Sequence, residues 1–207
     1  MQKLILTSSS SQTIHSWVTQ LDKSPTDLSL VFIDTAQELE KGDKHWLDED
    51  RQALIDVGFT VLDYTLTGKT QNQLEKDLAP FDVFFVAGGN TFYLLYQAQQ
   101  SGFLQLISNP DNQKTYVGSS AGSILVCPDI DMIQFIDDPA QAPNLRSTVG
   151  ANLVNYLVLP HWGNPVFQAG YAKSLEKLYQ SKYPAVLLND NQYLVVEKGY
   201  AKLVSNQ

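Results

Sequence analysis

Short apolar runs recur along this chain, and most of them do not alternate between apolar and polar residues. Strands with one wet face alternate with a period of two, so unalternating runs are typical of strands that are covered on both faces. Segments between the runs space apolar residues by three and four positions, as at Phe92, Leu95 and Tyr96, which predicts helices. The runs lie at residues 4–6, 28–33, 59–66, 83–86, 116–117, 156–159 and 185–188.

The alternation of strands and helices predicts an α/β fold, with a doubly wound, mostly parallel sheet flanked by helices. The end of the chain differs, because two β-like runs at residues 192–197 and 200–204 surround Lys198-Gly199. This pattern predicts a C-terminal β-hairpin. With 207 residues and no repeat or linker, the chain is expected to form one domain over residues 1–207.

Composition excludes several classes of function. The net charge is −8, from 14 basic and 22 acidic residues, and the basic residues are scattered, so nucleic acid is not an expected partner. No run approaches eighteen apolar residues, and the start of the chain turns polar too early for a signal peptide, so neither a membrane span nor export is expected. Cys127 is the single cysteine, and no Cys/His cluster has zinc spacing. We therefore expect a cytoplasmic protein without a metal site.

In open α/β sheets, ligands bind beyond the carboxyl ends of the strands. The residues that follow the apolar runs are therefore the candidates for a functional site. They are residues 7–9, 34–35, 87–91, 118–122 and 160–164.

The run Gly-Ser-Ser-Ala-Gly at residues 118–122 follows a short strand and precedes an apolar helical segment. Gly-x-Ser-x-Gly in this setting is typical of a nucleophile elbow, in which small neighbours let a serine occupy a strained turn. Ser120 has a glycine two positions away on both sides, unlike Ser119 and Ser123. Ser120 is therefore the candidate nucleophile, and an anion-binding loop without a nucleophile is the alternative.

A nucleophilic serine needs a base, and the chain has three histidines. His15 lies in a predicted amphipathic helix, and His45 follows a charged run, so both are expected at ordinary surface positions. His161 follows the apolar run that ends at Pro160, at the edge where a site is expected. His161 is therefore the candidate base.

A second glycine-rich turn, Gly88-Gly89-Asn90-Thr91, follows another predicted strand. Its backbone amides are candidates for an oxyanion donor or for a substrate-carboxylate site, and Asn90 or Thr91 is expected to cap the next helix. From the residues alone, a plain helix cap is an equal alternative.

The carboxylate that would orient the histidine is left open by the residues themselves, because any acid that reaches its distal nitrogen would serve. The candidate acids all lie in the second half of the chain, and Asp137-Asp138-Pro139 is typical of a turn. The candidates are Asp129, Asp131, Asp137, Asp138, Asp190 and Glu197.

At these motifs the chain resembles the peptidase E family of serine peptidases, which includes aspartyl dipeptidase and cyanophycinase. The shared pieces are residues 87–91, the elbow at residues 118–122 and Leu159-Pro160-His161, in the family's order over essentially the whole chain. The resemblance implies a fold similar to class I glutamine amidotransferases, with Ser120 as the nucleophile and His161 as the base. It implies Asp131, in the pair Asp131-Met132, as the third member.

The resemblance further matches Gly89 and Ala121 to the backbone oxyanion donors, beside Gly88 and Asn90. It implies hydrolysis of a small peptide through an acyl-enzyme on Ser120, without a cofactor, and leaves a homodimer open. Residues 164–173 contain neither the arginine nor the histidine with which aspartyl dipeptidases of this kind are thought to hold an acidic side chain. The resemblance therefore leaves specificity for an amino-terminal aspartate open. The alternatives are a binding or regulatory protein on the same scaffold and an esterase or amidase.

Overall fold

The computed structural model describes residues 3–206, which form strands and helices in alternation. The strands are β1 (Leu4–Thr7), β2 (Ser29–Ile33), β3 (Thr60–Tyr64), β4 (Val83–Val86), β5 (Thr115–Ser119), β6 (Leu157–Leu159), β7 (Ala185–Leu187), β8 (Gln192–Glu197) and β9 (Tyr200–Ser205). The helices are α1 (Ser10–Trp17), α2 (His45–Asp56), α3 (Gln71–Leu78), α4 (Thr91–Ser101), α5 (Phe103–Ser108), α6 (Ala121–Leu125) and α7 (Gln168–Gln180).

Seven strands form one sheet in the order β3-β2-β4-β5-β1-β8-β9. The five strands from β3 to β1 are parallel, and β8 and β9 add an antiparallel pair at one edge. The prediction of a mostly parallel α/β sheet with a C-terminal hairpin is therefore confirmed. The hairpin turns at Lys198 and Gly199, which both have positive φ, as a two-residue turn of this kind requires.

Strands β6 and β7 leave the main sheet and pair with each other in parallel. Their apolar runs were expected like the others, so their separation into a second sheet is a finding of the structure. Because both strands run in the same direction, the residues that follow them lie at the same end of this small sheet. This arrangement determines which acidic side chain lies beside His161.

Two hydrophobic clusters cover the main sheet, one on each face. Successive residues of a strand point to opposite faces, so Leu4 and Leu6 of β1 lie in one cluster and Ile5 lies in the other. Helices α1 and α2 cover the second face with Trp17 and Leu54, while α3, α4, α5 and α6 cover the first. Burial on both faces explains why the strand sequences do not alternate. Among the described residues, no helix has the length and hydropathy that crossing a membrane requires.

Candidate active site

Ser120 lies between the end of β5 and the start of α6, in a backbone conformation that residues other than glycine rarely adopt. Its φ is 52° and its ψ is −110°. Its amide donates to the carbonyl of Thr7 at the end of β1, over 3.1 Å, and its carbonyl accepts from Ser123 and Ile124 in the first turn of α6. A serine held in this strained turn projects from the carboxyl end of the sheet, as the elbow motif predicts.

The two glycines of the elbow are required by close backbone contacts. A Cβ atom built on Gly122 would lie 2.0 Å from the carbonyl oxygen of Val86 in β4, and one built on Gly118 would lie 2.5 Å from the carbonyl carbon of Gly122. Both obstructing atoms belong to the backbone, so a side chain cannot be accommodated by rotating a neighbour. The small residues at these positions therefore permit the crossing of strand and helix that presents Ser120.

His161 follows β6, and its side chain reaches Ser120. The Nε2 atom lies 2.8 Å from Ser120 Oγ, which is hydrogen-bonding distance. The ring stacks on Phe167, with centroids 4.6 Å apart and an interplanar angle of 16°. The backbone at His161 has a φ of 58°, and the carbonyl before it, that of Pro160, accepts a hydrogen bond from the Tyr171 hydroxyl. His15 and His45 are exposed, as expected.

Asp190 completes a hydrogen-bonded chain with His161 and Ser120. Its Oδ1 lies 2.6 Å from His161 Nδ1, and its Oδ2 accepts from Asn164 Nδ2 over 3.2 Å. Burial alone raises the pKa of Asp190, but the hydrogen bonds of His161, Ser8 and Asn164 and the charge of His161 outweigh burial and lower the pKa to about 2. The carboxylate therefore stays ionised at neutral pH and favours a proton on Nδ1, which leaves Nε2 free to accept one.

Ser8, the residue after β1, connects the main sheet to this chain of side chains. Its hydroxyl donates to Asp190 Oδ1 over 2.7 Å and accepts from the backbone amide of His161 over 2.6 Å. The segment 7–9 was a candidate because of its strand-end position, but no role followed from the sequence. The structure shows that Ser8 holds both the acid and the backbone of the histidine.

Asp131 does not lie next to His161, which corrects the assignment that the resemblance implied. It begins a short 3-10 segment (Asp131–Phe135), is exposed, and forms an ion pair with Lys177 of α7 over 2.5 Å. Its other oxygen accepts from Gln134 over 2.7 Å. Asp190, one of the acids that the sequence left open, takes the place beside His161 because β7 pairs in parallel with β6. Asp190 follows the apolar run 185–188 just as His161 follows its own run, and this signal could have found it.

The second glycine-rich turn passes directly beside Ser120. A Cβ atom on Gly88 would lie 3.2 Å from Ser120 Cβ, and Gly89 has a φ of 129°. Asn90 caps α4, because its Oδ1 accepts from the amide of Tyr93 over 2.9 Å, and its Nδ2 donates to the carbonyl of Asp138. Ala121 is the first residue of α6 and is buried. The predicted oxyanion residues therefore flank Ser120 from two sides.

These residues line a cavity of about 730 Å³, a size common among small-molecule sites. Its lining includes Ser120, His161 and Asp190, together with residues of α2 and of the segment before α2. Carboxylates outnumber lysines along the lining. The carboxylates are Glu40, Asp43, Glu49, Asp50, Asp137, Asp138 and Asp190, and the lysines are Lys41 and Lys44.

Asp50 of α2 is a buried carboxylate that connects α2 to the elbow. Its side chain accepts from the hydroxyl of Ser119 over 2.8 Å and from the amide of Ser11 over 2.7 Å. Burial raises the pKa of Asp50 to about 6, although these hydrogen bonds oppose the shift. Asp50 was not a candidate from the sequence, where it lies in a charged helical segment like many surface acids.

We expect the charge of Asp50 to destabilise the protein as the pH rises. An aspartate in an unfolded chain titrates near pH 4. Between about pH 4 and pH 6 the folded protein therefore binds the proton of Asp50 more tightly than the unfolded chain does. The free energy of unfolding falls as the pH rises through this range and the proton is lost. Replacing Asp50 with Asn removes this loss while an amide oxygen still accepts from Ser11. The difference in the free energy of unfolding between Asp50→Asn and the wild type, measured by urea unfolding, should shift in favour of the variant by roughly 2–3 kcal/mol from pH 4 to pH 7. Asp48→Asn, an exposed change on the same helix, is the control; a difference independent of pH would contradict the expectation.

Comparison with known proteins identifies the family of the chain. The model of Peptidase family S51 matches residues 4–204. An uncharacterized peptidase of Pasteurella multocida is 32% identical over 81% of this chain and 81% of its own length, and one of Listeria innocua is 30% identical over 94% and 96%. In fold, the chain superposes with a TM-score of 0.91 on a crystal structure from Listeria monocytogenes, a protein provisionally called a peptidase E, with 24% identity and full coverage of both chains.

The resemblance seen in the motifs is thus confirmed over the length of the chain. The matched family and the named relatives are peptidases, so they support an enzyme rather than a binding protein on the same scaffold. The chain belongs to peptidase family S51 and is a serine peptidase.

Proposed function

We propose that the protein hydrolyses small peptides in the manner of a dipeptidase, through an acyl-enzyme on Ser120, with His161 and Asp190 as the other members of a catalytic triad. The hydrogen-bonded chain from Ser120 through His161 to Asp190 carries this proposal. Its three side chains come from the ends of three different strands, and the distances match the nucleophile, base and orienting acid of a serine hydrolase.

In the proposed reaction, Ser120 Oγ attacks the carbonyl carbon of the scissile amide while His161 Nε2 accepts the hydroxyl proton. The imidazolium then donates this proton to the leaving amine, and the C–N bond breaks. Water attacks the resulting ester in the same way and releases the acid. Asp190 holds the proton on Nδ1 throughout, and the amides of Gly89 and Ala121 are the proposed donors to the oxyanion.

The size and lining of the cavity support a short peptide as the substrate. Its volume of about 730 Å³ accommodates a few residues. The segment after His161 contributes Val166 and Phe167 to the lining rather than a cation. Because the lining contains seven carboxylates and two lysines, an acidic amino-terminal side chain would meet repulsion. We therefore propose neutral or basic amino-terminal residues rather than aspartate.

The test combines an activity-based probe with a dipeptide panel, using wild type and Ser120→Ala. We expect a fluorophosphonate to label the wild type and not the variant, because only an activated serine reacts with it. We also expect Ser120-dependent cleavage of Ala-Xaa and Lys-Xaa to exceed that of Asp-Xaa by at least about 10-fold, as a charge repulsion of about 1.4 kcal/mol would give.

Labelling that persists in Ser120→Ala would remove Ser120 from the mechanism. A preference for Asp-Xaa would overturn the proposed specificity and leave the triad intact. Efficient cleavage of long peptides at internal bonds would identify a peptidase that is not dipeptidase-like.

A further inference from the structure

Asp50 is a buried carboxylate beside the nucleophile elbow that the proposed triad does not use. Its Oδ1 accepts from the backbone amide of Ser11, and its Oδ2 accepts from the hydroxyl of Ser119, the residue before the nucleophile. The Ser119 oxygen in turn accepts from the amide of Ser10 over 3.3 Å. Through this one side chain, α2 is therefore bonded to the first turn of α1 and to the last residue of β5.

The two segments that Asp50 joins also hold the two parts of the proposed triad. Ser119 directly precedes the nucleophile in the chain. Ser11 lies three residues after Ser8, whose hydroxyl bonds to the proposed acid and to the backbone of the proposed base. The Asp50 side chain therefore links the position of the nucleophile to the positions of its two partners.

An ionised carboxylate suits this place because both of its neighbours are donors. The oxygen of Ser119 already accepts from the Ser10 amide, so its hydroxyl proton is directed to Asp50. An ionised aspartate accepts through both oxygens. An asparagine has one acceptor and would turn an NH₂ group toward one of the two donors.

The charge of Asp50 is held in place at the expense of stability. The residue is 4% exposed, and burial raises its pKa to about 6 although both hydrogen bonds oppose the shift. At neutral pH the ionised group therefore destabilises the folded protein, so folding does not explain its presence. Departures of this kind are typical of functional sites.

We propose that Asp50 is a positioning residue for the reaction and that, through Ser119, it holds the nucleophile at the distance from His161 that proton transfer requires. This inference rests on the proposed function, which gives Ser120 and His161 their roles. A misplacement of reacting atoms by about 1 Å can lower a rate by about 100-fold, so a small shift of the elbow has a measurable effect.

Asp50→Asn tests this role, because it keeps the acceptor for Ser11 and removes the acceptor for Ser119. At pH 7 it should lower kcat for a cleavable dipeptide such as Ala-Phe by about 10- to 100-fold and change KM less than about 3-fold. Urea unfolding at the same pH should show a variant no less stable than the wild type, whereas loss of a merely structural contact would lower activity and stability together. Asp48→Asn, the exposed change on the same helix, should keep the wild-type kcat and KM.

Ser119→Ala removes the same hydrogen bond from its other end. It should lower kcat to a similar extent. Combining it with Asp50→Asn should slow the reaction by less than about 3-fold beyond the slower single variant, because effects that pass through one interaction do not multiply. Losses that multiply, or a raised KM with unchanged kcat in Asp50→Asn, would overturn the positioning role.

The rate at which a fluorophosphonate labels Ser120 separates this inference from the peptidase proposal, since labelling needs an activated serine and no peptide. At saturating probe, Asp50→Asn should be labelled about 10-fold or more slowly than the wild type. This slowing in a protein that cleaves no peptide would refute the peptidase proposal alone. Equal labelling rates would overturn the positioning role alone, and a wild type that is not labelled would overturn both.

Discussion

Replacing His161 with Ala is expected to lower kcat/KM for a cleavable dipeptide by about four to six orders of magnitude. Without Nε2 at 2.8 Å, the Ser120 hydroxyl has no group to take its proton, and losses of this size follow when the base of a serine hydrolase is removed. The fold should persist, because His161 lies at the cavity wall rather than in either hydrophobic cluster. Steady-state kinetics, with thermal unfolding to check the fold, would measure both effects.

His15→Ala is the matched control for that experiment, since His15 is an exposed histidine on α1 outside the cavity. It should retain wild-type activity. If His161→Ala kept activity within about 10-fold of the wild type, His161 would not be the base.

Replacing Asp190 with Asn should lower kcat by about 10³- to 10⁴-fold with a small change in KM. The amide is uncharged and does not stabilise the imidazolium that forms when Ser120 loses its proton, and it weakens the preference for a proton on Nδ1. Asp131→Asn should change kcat less than about 2-fold, because Asp131 is exposed and pairs with Lys177. Comparing kcat for the two variants separates the two acids.

The reverse ranking, with Asp131→Asn the more damaging change, would show that the working enzyme uses a different arrangement from the one in the structure. Equal and small effects would mean that Ser120 and His161 act without an orienting carboxylate.

Local sequence motifs were sufficient to single out Ser120 and His161, the proposed nucleophile and base, which the structure brings within hydrogen-bonding distance. The elbow is defined within five residues, because the turn needs glycines at 118 and 122, and the structure shows the backbone contacts that demand them. His161 was found by its position after an apolar run. The strand pattern likewise predicted the parallel sheet and the terminal hairpin. Strands that are buried on both faces consist of apolar runs without alternation, which can be recognised in the sequence.

Asp190 follows an apolar run and was one of several candidates, but the choice among the acids was not predictable, because it depends on which strands pair. Residues 185–187 look like any other buried strand, and nothing in them indicates that β7 pairs with β6 outside the main sheet. Asp131 was chosen by a motif match, and its actual partner, Lys177, lies 46 residues away on α7. Asp50 was missed for a related reason: its burial results from the packing of α2 against the start of α1 at Ser11, which leaves no local signal in the sequence.

The proposed triad is divided between two sheets. His161 and Asp190 follow the strands of the small β6–β7 sheet, whereas Ser120 follows β5 of the main sheet. Ser8, which follows β1 of the main sheet, bonds to Asp190 and to the backbone of His161, so it joins the two parts of the site. A displacement of one sheet relative to the other would change the distance from His161 to Ser120 and the Ser8 hydrogen bonds together. We therefore expect the rate of the proposed reaction to depend on how firmly the two sheets are held to each other.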